Sequence, residues 1–248
     1  MKKLTSLLIA LVFIFCANIS IYATNKQLPR ETILAVMVVK NGEFVIYQGK
    51  EAEQILVTEY QNANGTQQEF VRNNTKTKLS MSSTENEPRH NVYDFRYVYR
   101  EDAYIAGCLR TDLTRRISNE YVNLTSVDQT VSLSWSCTQD FTMSADVEIS
   151  GKWLKAVTTT LGASWTDSVS ASSSYNITIA PGKKVWLEFT PRMDRSYGTI
   201  SKYLTTTGGR LLVEERWIDT YRTTSIYSAA LRTYVPDGIY TFKEAEAS

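Results

Sequence analysis

The chain has 248 residues, with 27 Lys and Arg against 26 Asp and Glu and a single histidine. That near balance gives no pull toward nucleic acid or toward a strongly anionic surface. One histidine, with no G-x-S-x-G, phosphate-loop or dinucleotide fingerprint, argues against an enzyme.

The N-terminus reads as a bacterial export signal over 1–23. Lys2 and Lys3 precede an apolar run from Leu7 to Phe15, and Ala23 follows at a cleavage position. Loss of Lys2 and Lys3 leaves 25 basic against 26 acidic residues. The rest divides into an N-terminal β-rich region, 24–107, and a larger β domain, 108–248. From Ile33 the run ILAVMVV is followed by Lys40-Asn41-Gly42-Glu43 and then FVIY. Asn-Gly between two apolar β-branched runs predicts a hairpin, because both turn residues need positive φ. Gln61 to Glu87 is polar and predicts loops with short edge strands.

Next, Tyr93, Phe95, Tyr97 and Tyr99 share one face of a predicted strand. They are the candidate surface-binding residues, although such a ring face more often packs in a core. Arg115-Arg116 reads as a protease site or a solvated corner, and the corner is the favoured expectation. Once residues 1–23 are removed, Cys108 and Cys137 are the remaining cysteines. In an exported chain such a pair predicts a disulfide, worth about 3–4 kcal/mol. No ligand spacing suggests a metal, and no cofactor is expected.

The strongest pattern lies in two stripes. From Val131 to Ile149 every second residue is apolar except Gln139, and the residues between are Ser, Thr, Asp or Glu. From Leu161 to Ile179 the alternation repeats, with Asp167 and Ser173 as exceptions. Period-2 alternation predicts strands with one apolar and one polar face, so the fold class is all-β and mostly antiparallel. Two strands of about 19 residues would be far longer than the usual five or six, which makes the domain elongated. The linker 151–160 reads as a hairpin tip or a single helical turn. Ala180-Pro181-Gly182 predicts a turn. Val185, Leu187 and Phe189 then open a further strand, closed by Pro191. Leu211 to Val213 and Trp217-Ile218 mark strand in the C-terminal third. A short strand from Gly238 to Phe242 precedes a polar tail expected to fray.

Ser/Thr-rich alternating stripes over about 122–192, a short central tip and a Pro-Gly turn before the next strand resemble the membrane-inserting region of the aerolysin/ETX-MTX2 family of β-pore-forming toxins. That resemblance implies a secreted protein that meets a membrane or surface receptor, oligomerises, and contributes to a shared barrel roughly Phe141 to Tyr175 of the central amphipathic hairpin 131–179, with Trp153-Leu154 at its tip. Its membrane-inserting residues would be Phe141, Met143, Ala145, Val147, Ile149, Trp153, Leu154, Leu161, Ala163, Trp165, Val169, Ala171 and Tyr175. The rival expectation is a secreted β-sandwich that binds a cell-surface or matrix ligand. The two differ in how tightly the central hairpin is packed.

Overall fold

The computed structural model describes residues 31–74, 92–143, 151–206 and 209–247. The expected export signal and His90 lie outside them. Every strand pairing among the described residues is antiparallel, and β-structure dominates. In chain order the elements begin with β1 (Thr32–Lys40), β2 (Glu43–Gln48), α1 (Gly49–Asn74) and β3 (Val92–Leu109). The two-residue strands β4 (Arg115–Arg116) and β5 (Tyr121–Val122) precede β6 (Gln129–Gln139), β7 (Thr142–Met143) and α2 (Gly151–Leu161). Then come β8 (Val169–Ile179), β9 (Lys183–Thr206), β10 (Gly209–Thr223), β11 (Ser225–Ser228), β12 (Thr233–Pro236) and β13 (Gly238–Glu246).

The Asn-Gly hairpin forms as its sequence requires. Asn41 and Gly42 both have positive φ, 53° and 84°, and Lys40 pairs with Glu43. The expectation of loops and edge strands over 61–87 is corrected where the chain is described, because Gln61 to Asn74 continue helix α1. That helix is anchored by a narrow stripe. Ala52 and Leu56 are buried, with Ile55 and Tyr60 beside them, on the i, i+3, i+4, i+8 spacing of one helix face. They pack against Val36 and Val38 of β1, Leu109 and Ile239.

Strand β9 organises everything else. Its N-terminal half pairs with β13, β4 and β5, and its C-terminal half with β3 and β10. Pro191 was expected to end this strand. It sits instead at the handover, opposite Gly238 at the start of β13, while its carbonyl accepts from the Arg110 amide. Proline lacks only the N–H, so it is tolerated where one ladder stops and another begins. The tail expected to fray is also corrected. Lys243 to Glu246 lie in β13 between β1 and β9, and Ala247 N donates to Gly182 O. Their alternating charges are used: Lys243 pairs with Glu188, and Lys183 with Glu244 and Glu246.

Sheet β2-β1-β13-β9 carries α1 on one face and the pair β6–β8 on the other. Between sheet and pair lies the main core: Met37, Leu133, Trp135, Cys137, Leu187, Phe189, Tyr240 and Phe242, all nearly inaccessible. Arg192 joins α1 to this frame by bridging Glu59 and Asp237. Burial raises the Asp237 carboxyl above its ordinary range, and the Arg192 charge offsets part of that effect. A raised folded-state value means the native protein holds this proton more tightly. The contribution therefore favours folding at low pH and is lost as pH rises through the folded value. Arg192→Gln should accordingly destabilise the fold by about 3 kcal/mol at pH 7, and by less at a pH low enough to protonate Asp237. Urea titrations at the two pH values check this; an equal loss at both would contradict it.

Candidate functional site

The two stripes meet, over part of their length, as the hairpin their alternation implies. β6 pairs with β8 from Gln129↔Ile179 to Gln139↔Val169 without a bulge. Leu133, Trp135, Cys137, Ala171 and Ile179 are buried on one face. Ser132, Ser134, Ser136, Thr138, Ser170, Ser172, Ser174 and Thr178 are exposed on the other. The ladder of this ribbon is internal. Its one backbone bridge to another strand or loop, among the described residues, is Ser118↔Trp135, with Ser136 N donating to Ile117 O at 3.0 Å. The remaining ties are side-chain ones at its two ends. Asn123 donates its amide to Ile179 O at 2.8 Å, and Arg115 reaches Gln139 Oε1 at 3.0 Å and the Thr138 carbonyl. Arg115, expected in a solvated corner, is thus half buried and pins β6 to β9.

The expected 19-residue strands are corrected. Each arm runs for 11 residues. The chain leaves the ribbon at Asp140, and Thr142–Met143 pair with Tyr221 and Thr220 of β10. Residues 144–150 lie outside the described ones; α2 and a 3-10 turn over Ala163–Thr166 then occupy the linker and the place where the second stripe was expected to begin. The linker is a helix of three turns, with Trp153, Ala156 and Val157 buried on its inner face. Asp167, on the apolar side of the predicted stripe, is exposed and lies outside any strand. That relieves the cost of an acid on an apolar face.

This interrupting segment docks on the second sheet, β3-β9-β10. Trp153, Ala156, Val157 and Trp165 pack with Tyr99, Ile200 and Ile218, and Phe141, Met143, Leu161 and Tyr97 border them. The Trp153 ring meets Tyr97 edge-on at 5.2 Å, and Thr160 Oγ1 donates to Tyr99 O at 3.0 Å. Beneath them β9 must come very close to β3. A Cβ on Gly198 would stand 2.2 Å from Arg100 O, so only glycine fits there. Tyr99 donates its hydroxyl to Ser196 Oγ at 2.8 Å, and Ser196 donates onward to Glu101 at 2.6 Å. Burial pushes the Tyr99 hydroxyl up to about 12, partly offset by the bond to Ser196, so it stays protonated. Trp165 carries a cost: its ring is buried and its Nε1 has no hydrogen-bond partner, the only such side-chain atom among the described residues. An unmet buried donor of this kind costs about 1–3 kcal/mol.

The residues singled out from sequence therefore divide. Val169, Ala171 and Tyr175 lie in the ribbon, and Phe141, Met143, Trp153, Leu161 and Trp165 border or fill the docking core. Leu154 is half exposed on α2 and Ala163 exposed in the 3-10 turn; Ala145, Val147 and Ile149 lie outside the described residues. Along the aromatic face of β3, Tyr99 is 2% exposed and Phe95 39%, with Tyr97 between them. Tyr93 falls where side chains are not described. Sequence reasoning missed the helix, although Trp153, Ala156, Val157 and Thr160 carry the helical spacing that marks its inner face.

The expected disulfide is absent. Cys108 and Cys137 are both unbonded and buried. They belong to different sheets: Cys108 sits opposite Met193 on β3, while Cys137 faces the ribbon core beside the Arg115 guanidinium. Burial pushes the Cys137 thiol up to about 11 and raises Cys108 as well, which keeps both protonated and unreactive. A chain lacking residues 1–23, denatured without reductant, should titrate with two thiols; none would restore the bond.

No family model matches the chain, and no curated protein matches it. Among solved structures, it is similar to the Cry23Aa1–Cry37Aa1 binary protein complex at 10% identity and a TM-score of 0.18, over 64% of this chain and 76% of that one. It is also similar to parasporin-2, a Bacillus thuringiensis toxin that recognises cancer cells, at 10% identity and a TM-score of 0.19, over 86% of this chain and 79% of that one. At these scores the backbones superpose poorly.

Proposed function

We propose that this chain is an exported, β-pore-forming protein that acts without catalysis. The segment 140–168 leaves its dock on β3 and lengthens the β6–β8 ribbon into a membrane-spanning hairpin. The observation that supports this reading is the ribbon's register. Carried past Gln139↔Val169, it sets Phe141 opposite Asp167, Met143 opposite Trp165, Ala145 opposite Ala163 and Val147 opposite Leu161. It closes on Trp153-Leu154-Lys155. Odd positions then form a largely apolar lipid face, interrupted by Gly151 and Thr159 and ending at Lys155 of the tip, and even positions a face rich in Ser and Thr with Asp140, Asp146, Glu148 and Lys152, suited to a wet lumen. Each new arm, Phe141 to Trp153 on one side, has about 13 residues and reaches about 43 Å. A tilted spanning strand needs about 9–11 residues. Asp167 falls at the base of the span, near the interface, where a charge costs least. A hairpin supplies only two strands, so several copies must close the barrel, and a homo-oligomer on a target membrane or surface receptor follows.

Lengthening leaves the ribbon's own ladder intact; what must break is the β7–β10 pairing, the docking core under α2 with its Thr160–Tyr99 bond, and the helix itself. A specific observation favours the second reading, a secreted β-sandwich that binds a surface ligand: the ribbon's apolar face packs on the main core, with Leu133 and Ile179 at 0% exposure and Val131, Tyr175 and Ile177 partly buried. Adding the chain lacking residues 1–23 to dye-loaded vesicles, with and without receptor-bearing lipid extract and limited trypsin, separates the two. Dose-dependent release with SDS-resistant oligomers is expected of the pore former. Silence under every condition, with the protein monomeric, is expected of the binding module.

A further inference from the structure

Between α2 and the edge of β3 that pairs with no strand among the described residues lies a cleft of about 700 Å³ lined by Phe95, Arg96, Tyr97, Lys152, Lys155 and three threonines. Three of these lining side chains are cations and none is a carboxylate. Lys152 Nζ lies 5.8 Å from the Tyr97 ring centre, and beside the cleft Lys202 of β9 holds its Nζ 4.4 Å from the ring centre of Phe95. From the mouth of the cleft an apolar row continues across the sheet. Phe95 pairs with Leu204, and Leu204 with Leu211, so the three project from one face. Leu211 is 62% exposed, and Leu212 and Val213 beside it are 38% and 49% exposed.

We infer that this end of the second sheet is a docking surface for a bilayer containing anionic phospholipid. The phosphate-bearing headgroup sits in the cleft beside the two lysines of α2 and Lys202, on the Phe95–Tyr97 face of β3, and Phe95, Leu204 and Leu211 enter the boundary between headgroups and acyl chains. The chemistry matches on both counts. Basic side chains near an anionic leaflet each add to binding, and an exposed apolar row rimmed by cations suits an interface better than water. The near-neutral net charge of the chain conceals this local excess. Lys152 and Lys155 flank Trp153-Leu154, so the surface would bring to the lipid the residues that form the tip of the proposed hairpin. That consequence rests on the pore-forming reading; the docking surface does not.

Flotation of the full chain lacking residues 1–23 with vesicles of phosphatidylcholine alone, or with a fifth of phosphatidylserine, tests the inference. Binding is expected to the mixed vesicles, to weaken in high salt, and to fall about 25-fold in Lys152→Ala/Lys155→Ala. Leu211→Ser should weaken it independently, and inorganic phosphate at millimolar concentration should not replace the vesicle. Equal binding to neutral vesicles, no response to the lysine substitutions, or full competition by inorganic phosphate would overturn it. Because flotation does not require leakage, binding without dye release would count against the pore and leave the docking surface standing. Release without charge-dependent binding would do the reverse.

Discussion

Met143→Cys combined with Thr220→Cys, in a chain whose Cys108 and Cys137 are replaced by Ala, should abolish dye release when oxidised and recover it on reduction. Met143 and Thr220 are direct cross-strand partners in the β7–β10 pairing. Such partners hold their Cα atoms about 4.5–5.5 Å apart, within the range a disulfide accepts. The bond would fix Met143 to β10, so β6 could not lengthen past Gln139. Folding should be unaffected, because the bond joins residues already adjacent. Reduction supplies the control that separates a lock from a damaged protein. An oxidised variant that still releases dye would remove 140–168 from the mechanism.

The second large effect concerns the frame that holds the ribbon. Tyr240→Ala should lower the free energy of unfolding by about 3–5 kcal/mol, a large share of the 5–15 kcal/mol typical of a domain. The ring is fully buried and meets Phe189 at 4.7 Å, Trp135 at 5.3 Å and Phe44 at 6.1 Å. It therefore touches β9, the ribbon and β2 at once. Tyr240→Phe keeps those contacts and loses only the hydroxyl bond to Pro236 O, 2.9 Å long, so it should cost about 1 kcal/mol. Urea denaturation measures both. Equal losses would mean that the hydroxyl, and not the ring, holds the sheets together.

What could be read in advance followed from local chemistry. Asn41-Gly42 demands a tight turn whatever surrounds it, and the alternation in 129–139 and 169–179 requires an apolar face that the core then covers. The failures came from context. Among the described side chains of α1, Ala52, Ile55, Leu56 and Tyr60 form the inner stripe, a thin signal beside so much polar sequence. The tail Lys243 to Glu246 looks like a fraying end until Glu188 and Lys183 are placed next to it. Pro191 looks like a strand end until β9 is seen to change partners there. Residues 141–167 carry two periods at once. Read by twos they are strand, whereas Trp153, Ala156, Val157 and Thr160 read by threes and fours are helix. In the folded chain the helix prevails because Tyr97, Tyr99 and Ile200 offer it a surface. A segment consistent with two structures is what a conformational change requires.

That duality gives the most direct test. An environment-sensitive dye such as NBD, attached to single cysteines from Gly151 to Ser168, reports which side chains are out of water. In solution the protected positions should follow the helix, with Trp153, Ala156 and Val157 dark to water. On membranes the pattern should change to every second residue, odd positions in an apolar environment and even positions wet. Retention of the helical pattern on vesicles that the protein permeabilises would contradict the account.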